Sequence, residues 1–215
     1  MSKALRICLI WGLLLGVNFS ATARRTPKGK RKPNPKITLR VYDNAGLPAR
    51  LLSRALNQTS VIFGDAGVVV APIFCTQDEP PAVCSQALDP SNIALRIIPG
   101  PVPGDEYNAL GYSSGPYITV DYSRVEEVAA RSDVSPDRIL GCVVAHELGH
   151  VLLGPESHSA AGIMKARFTD KELRLIREMF IGFLPSQKER IRANVFSREG
   201  ETRDLKARSI PLAQR

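Results

Sequence analysis

The stretch HELGHVLLGPESH, residues 146–158, contains all three histidines of the 215-residue chain. In a helix, His146 and His150 lie one turn apart on the same face, because residues i and i+4 are neighbours there. Two imidazoles so placed can bind one zinc ion at about 2.0–2.1 Å while the helix stays regular. Glu147 is rotated by about 100° from His146, which places it beside the ion, where it can hold a water molecule. The spacing H-E-x-x-H therefore predicts a metal site with a general base next to it.

The flanking residues predict the helix that this spacing requires. Ser135 is a capping residue, Pro136 suits the first helical position, and Asp137 is favourable near the positive end of the helix dipole. The run RILGCVVAHELGHVLL is mainly apolar, as expected of a buried helix. Gly154 followed by Pro155 ends it. We therefore expect a buried helix from about residue 136 to residue 153.

These residues resemble the metzincin clan of zinc peptidases, whose pattern is H-E-x-x-H-x-x-G-x-x-H followed by a turn that contains methionine. His146, Glu147 and His150 match the first part, and Met164 in SAAGIMKA stands where the methionine turn would come. The segments VYDNAGLPARLL and IFGDAGVVV also resemble those of uncharacterised secreted bacterial proteins with the same modified motif. The resemblance implies a bound Zn²⁺, with Met164 beneath it and Glu147 as the catalytic residue, a general base and then a general acid.

The spacing after the second histidine departs from the metzincin pattern. Gly154 follows His150 by four residues instead of three, and His158 follows Gly154 by four instead of three. One extra helical residue turns the exit of the chain by about 100°. The second extra residue, in a segment that Pro155 stiffens, could bring the chain back towards the first two histidines. The nearby Met164 and the absence of another role for the last histidine favour His158 as the third metal ligand.

Two alternatives for the third ligand stay open. Glu156 occupies the position at the family's own spacing. A glutamate on a later helix, Glu172 or Glu178, would follow the gluzincin pattern, although the early Gly-Pro stop argues against it.

The resemblance further implies a peptide or protein substrate, which would pair in extended form with an edge strand at residues 109–114. The function it implies is that of a zinc metalloendopeptidase.

The second donor to the reaction's oxyanion is not identifiable, and Lys165 and Arg167 are the only candidates close after the methionine. Two other functions remain alternatives: a non-catalytic binding domain on a metzincin scaffold, and a zinc hydrolase that cleaves an amide of the cell wall.

The remaining pattern predicts an α/β (α+β) fold of the zincin type. Apolar, β-rich runs indicate strands at residues 37–43, 68–75, 93–99, 109–114 and 116–122, and a long amphipathic helix is expected between the first two. This order favours a mixed, mostly parallel, twisted sheet that carries the long helix and the H-E-x-x-H helix. A capping box at Thr169 and an amphipathic run at 184–195 predict a small helical C-terminal subdomain.

The ends of the chain predict export. Residues 1–23 combine a basic start, a 13-residue apolar run and an Ala-Thr-Ala cleavage site, which is typical of a signal peptide and too short for a transmembrane helix. Residues 24–36 form a basic leader that we expect to be disordered, 37–195 the metallopeptidase domain, and 196–215 a flexible tail. The predicted location is secreted, either periplasmic or extracellular. The oligomeric state is left open.

The net charge of +8 does not indicate a nucleic-acid partner. Residues 24–36 carry seven positive charges and no negative one, whereas residues 37–195 carry 15 Lys or Arg against 18 Asp or Glu. The excess positive charge therefore belongs to the leader, which could attach the protein to an anionic envelope polymer.

The cysteines agree with an oxidising compartment. Cys75 and Cys84 bracket a polar, proline-containing loop and are expected to form a disulfide. Cys142 lies in the apolar helix, where a buried free thiol is expected.

Overall fold

A computed structural model describes residues 33–76, 79–100 and 109–209 of the chain. The predicted signal peptide and residues 24–32 of the predicted leader lie outside the described residues.

A five-stranded sheet forms the centre of the fold, with the strand order β2-β1-β3-β5-β4. β1, β2, β3 and β5 run parallel, and β4 pairs antiparallel with β5 at one end of the sheet. The predicted mixed, mostly parallel sheet is therefore present. The strands are β1 (Lys36–Asp43), β2 (Val69–Phe74), β3 (Asn92–Ile98), β4 (Gly111–Ser114) and β5 (Tyr117–Asp121).

The main core lies on one face of this sheet, because alternate strand residues point towards it. These residues are fully or almost fully buried and pack with the apolar sides of α1 (Ala49–Asp65) and α3 (Pro136–Leu153). Thr59 Oγ1 of α1 donates a hydrogen bond of 2.9 Å to the carbonyl oxygen of Gly141 in α3. The two helices therefore contact each other closely as well as the sheet. The inward strand residues are Ile37, Leu39, Val41, Ile93, Leu95, Ile97, Ile118 and Val120.

The second helix of the fold, α2 (Tyr122–Ser132), was not predicted from the sequence. The Asp121 side chain caps it by accepting a hydrogen bond of 3.3 Å from the backbone N–H of Arg124. Its buried residues are Tyr122, Val125 and Ala129, which are three and four positions apart. The sequence signal for this helix was the capping residue Asp121 followed by apolar residues at helical spacing. This signal is weak because the rest of the helix is polar.

The C-terminal part of the fold is helical and longer than expected. It consists of α4 (Asp170–Arg177), which begins at the predicted capping box, and α5 (Pro185–Ser209). The prediction of a flexible tail from residue 196 is wrong as far as residue 209, because α5 continues through it. Distant partners hold the extension: Glu199 accepts a hydrogen bond of 2.9 Å from the N–H of Lys36, and Thr202 Oγ1 lies 2.8 Å from Ser91 Oγ. Among the described helices, none has the length and apolarity needed to span a bilayer.

Two sets of contacts hold the loop between β2 and β3 against the sheet. The predicted disulfide between Cys75 and Cys84 is present. The buried guanidinium of Arg40, on the outer face of β1, donates to the carbonyl oxygens of Gln86 at 2.6 Å and Ala87 at 3.1 Å. These contacts hold residues 84–87 against the sheet.

Candidate metal centre

The helix α3 sets the first two histidines. It begins with Pro136 at its first position and Asp137 in its first turn, and its central part is buried between α1 and the sheet. His146 and His150 lie one turn apart near its C-terminal end, with their Nε2 atoms 3.0 Å apart. The expected helix and the expected pairing of the two rings are both present.

The end of α3 decides where the third histidine lies. Gly154 has a φ of 103°, a conformation that favours glycine, and its N–H donates to the carbonyl oxygen of His150 at 2.8 Å. The chain then reverses, so that His158 Nε2 lies 3.1 Å from His150 Nε2. The longer spacing after His150 therefore still returns a histidine to the first two.

The three histidines form a group in which one ring nitrogen from each lies within 4.8 Å of the other two. Among the described residues this is the only such group of three or more His, Cys, Asp or Glu side chains. Neither Glu156 nor the later glutamates Glu172 and Glu178 belong to it. Glu172 instead accepts a hydrogen bond of 2.7 Å from Lys165.

The protonation pattern leaves two lone pairs pointing into the group. His146 Nδ1 donates to the carbonyl oxygen of Ile163 at 2.7 Å, so a neutral ring carries its lone pair on Nε2. His150 Nδ1 lies 3.1 Å from Ser157 Oγ and 3.4 Å from the carbonyl oxygen of Gly154, which orients that ring in the same way. Burial lowers the pKa of His146 to about 4 and also lowers the pKa of His150, so both rings are neutral at pH 7.

This donor set fits a zinc ion. The Nε2 atom of His150 lies 3.0 Å from that of His146 and 3.1 Å from that of His158, and two nitrogen lone pairs at such distances repel each other unless a cation or a proton lies between them. A tetrahedral zinc with bonds of about 2.0–2.1 Å holds its nitrogen ligands about 3.3 Å apart, which is close to the observed separations. Three protein ligands also leave a fourth position, as in catalytic zinc sites.

Glu147 lies beside the histidines in a tightly packed position. Its side chain is buried, and burial raises the pKa of its carboxyl to about 7, against the opposing effect of a hydrogen bond with Ser113. β4 passes directly over it: a Cβ at Gly111 would lie 3.1 Å from Glu147 Cγ and 3.0 Å from the carbonyl oxygen of Thr119. A side chain at this position would require its neighbours to shift by a few tenths of an ångström.

Ser113 is a site residue that the sequence did not single out. It lies in the predicted edge strand, two residues after Gly111, and its side chain hydrogen-bonds the Glu147 carboxyl. The motif points to Glu147 but carries no information on which strand covers it, because the contact joins residues 34 positions apart.

Met164 packs against α3 at Gly149. It is fully buried, and a Cβ at Gly149, between the two helical histidines, would overlap its Sδ atom. The residue before it, Ile163, supplies the carbonyl oxygen that orients His146.

Lys165 is one of the two candidate oxyanion donors. Its ammonium group forms an ion pair with Glu172 at 2.7 Å, which holds it in a contact with this carboxylate.

Comparison with known proteins finds no matching family model and no matching curated protein. Solved structures with similar folds include a zinc-dependent peptidase from Methanocorpusculum labreanum, at 15% identity and a TM-score of 0.48, over 71% of this chain and 99% of that one. Another is archaemetzincin from Methanopyrus kandleri, at 16% identity and a TM-score of 0.47, over 77% of this chain and 98% of that one.

Proposed function

We propose that the protein is a secreted zinc-dependent peptidase of the endopeptidase type, with Zn²⁺ held by His146, His150 and His158. The observation that carries the proposal is the convergence of three imidazole nitrogens next to the buried carboxyl of Glu147. When bound at three neutral ligands, zinc lowers the pKa of a coordinated water to about 7 and polarises a carbonyl group.

Glu147 is the proposed general base and general acid. A carboxylate beside the metal-bound water can accept a proton from this water and return it to the leaving amine. Burial of Glu147 favours its protonated form, which the second transfer requires. Ser113 would keep the carboxylate oriented during both transfers. Met164 would support α3 from below, as the metzincin resemblance implies.

The position of β4 supports a peptide substrate. Among the described strands β4 is terminal in the sheet, so one side of it has no strand partner. Its Gly111 and Ser113 contact Glu147, which places this free edge at the metal centre. An extended peptide could add to the edge as a further strand, with backbone hydrogen bonds presenting its amide carbonyl to the site.

Secretion is part of the proposal. The disulfide Cys75–Cys84 is typical of proteins from oxidising compartments. The basic segment 24–36 would then attach the enzyme to an anionic envelope polymer.

Zinc content tests the metal site. Zinc per mole of purified protein should be about one, should fall sharply in His158→Ala and should be retained in Glu156→Ala. These neighbouring substitutions form a matched pair in the same turn. Loss of zinc with Glu156→Ala and not with His158→Ala would contradict the three-histidine site.

Hydrolysis tests the catalytic role. Glu147→Gln should keep the zinc and lower the rate of casein hydrolysis by about 10²–10⁴-fold, the usual contribution of a general base. Activity on muropeptides alone would favour the cell-wall amidase. A zinc-loaded protein that cleaves neither substrate, and whose function survives Glu147→Gln, would be a binding domain.

A further inference from the structure

An open cavity of about 820 Å³ adjoins the metal centre and begins at His150. Its walls come from the turn between β4 and β5, the end of α3, residues 88–90 and the second half of α5. Ser113, which contacts Glu147, also lines it. A group bound in this cavity would therefore belong to a molecule that reaches the metal centre.

Arg198 places a positive charge in the wall of this cavity. Its guanidinium is partly buried and donates to Asn194 Oδ1 at 2.7 Å and to the carbonyl oxygens of Pro90 at 3.0 Å and Val151 at 3.2 Å. All three acceptors are neutral, and no ion pair joins this arginine to a carboxylate among the described residues. Burial lowers the pKa of Arg198, and Glu201, three residues further along α5, opposes this effect from beyond ion-pair distance.

Asp89 is the only acidic residue among the described residues that line the cavity, and its oxygens are already engaged. Oδ1 accepts hydrogen bonds from the N–H of Ser91 at 2.9 Å, from Asn92 at 2.6 Å and from Thr202 at 3.3 Å. Oδ2 lies 3.8 Å from Lys206 Nζ. Of the two charged side chains in this wall, Arg198 is therefore the one that has no oppositely charged group within ion-pair distance among the described residues.

The geometry of Arg198 suits a carboxylate ligand. A guanidinium has five N–H groups, of which three are used here, so two remain for a ligand. The three bonds hold the side chain in place, so little further conformational entropy is lost when an anion binds. Leu88, Val151 and Leu205 supply apolar surface for the methylene groups next to such a carboxylate.

We propose that this cavity, here called the Arg198 cavity, binds a carboxylate of the substrate close to the bond that is cleaved. The inference rests on the proposed peptidase function and adds a substrate class, peptides with an acidic group near the cleavage site. Val151, whose carbonyl oxygen Arg198 contacts, directly follows the metal ligand His150. The acidic group could be an Asp or Glu side chain or the free carboxylate of the peptide's C-terminus.

The test uses the zinc-loaded full chain and a neutral peptide through which one Glu is moved position by position. A second set carries Gln at the same positions, and each peptide is made with a free and with an amidated C-terminus. At one position kcat/KM should be about tenfold higher for Glu than for Gln, as expected for a charge-assisted hydrogen bond. A preference that depends only on the free C-terminus would identify the terminal carboxylate as the bound group.

The Arg198→Gln variant should bring the Glu/Gln ratio of kcat/KM close to one. Because both peptides meet the same enzyme sample, any loss of folded protein cancels in this ratio. Arg190→Gln is the matched control: Arg190 lies on the same helix and donates to the carbonyl oxygen of Leu153 at 3.0 Å, but it does not line the cavity. This control should keep the ratio of the unmodified protein.

Equal kcat/KM for Glu and Gln peptides at every position and both termini would overturn the inference, as would a preference that Arg198→Gln leaves intact. If no peptide is cleaved although zinc is bound, the proposed function fails by itself. Fluorescence anisotropy of the same peptides then tests whether the Arg198 cavity binds a carboxylate. Tighter binding of Glu peptides that is lost in Arg198→Gln would support this, and equal binding of Glu and Gln peptides would refute it.

Discussion

Gly141 lies where α3 contacts α1, and replacing it with alanine should destabilise the fold. A Cβ at this position would lie 2.5 Å from the carbonyl oxygen of Ala55 and 2.7 Å from Gln58 Cβ. Both atoms belong to or adjoin the backbone of α1, so no flexible side chain can move aside. The two helices would have to separate by about half an ångström or more, since protein interiors are close-packed.

The expected magnitude follows from three opposing contributions. Overpacking costs about 1–3 kcal/mol. Weakening the hydrogen bond from Thr59 Oγ1 to the Gly141 carbonyl oxygen, 2.9 Å long, costs about 1 kcal/mol more. The higher helix propensity of alanine stabilises the fold by about 1 kcal/mol. Gly141→Ala should therefore lower the free energy of unfolding by about 2 kcal/mol and the melting temperature by about 4–8 °C.

The assay is thermal and urea unfolding followed by circular dichroism, with Gly200→Ala as the control. Gly200 lies inside α5, and a Cβ there would have nothing within 4 Å. This control should be stabilised by up to about 1 kcal/mol, since only helix propensity changes. If Gly141→Ala matched Gly200→Ala in stability, the close approach of α1 and α3 would be refuted.

Three further predictions concern other parts of the fold. Hydrogen bonds from Lys165 and Thr169 outweigh the effect of burial and hold the pKa of the Glu172 carboxyl at about 2. The ionised carboxylate therefore adds to the free energy of unfolding. This contribution is complete above pH 4.5 and is lost as the pH falls towards 2. Urea unfolding of Glu172→Gln should lack this dependence, and an unchanged acid profile would contradict the pairing. Cys75→Ala should cost about 2–3 kcal/mol and make the melting temperature insensitive to reductant, whereas the unmodified protein should lose stability on reduction. Burial raises the pKa of Cys142 to about 12, so its thiol should react with a thiol reagent at pH 8 only after unfolding, and rapid reaction of the folded protein would show that it is accessible.

Local pattern was sufficient for most elements of the fold. Strands with alternating or continuous apolar residues, such as β1 and β3, and helices with clear start signals in the sequence, such as α3 and α4, lie close to where the pattern placed them. α2 and the second half of α5 were missed because their buried contacts are few and most of their residues are polar. The extension of α5 is held by Lys36 and Ser91, more than 100 residues away, which no local pattern contains.

By itself, the sequence determined the pairing of His146 and His150 and the place of Glu147 next to them, because helical spacing alone fixes their relative directions. Only the tertiary structure decided which residue joins them, since this depends on how the chain turns after Gly154. It also decided that Ser113 contacts Glu147 and that Arg198 lines a cavity at His150. These contacts join residues from separate elements, and their positions follow from how the helices and the sheet pack together.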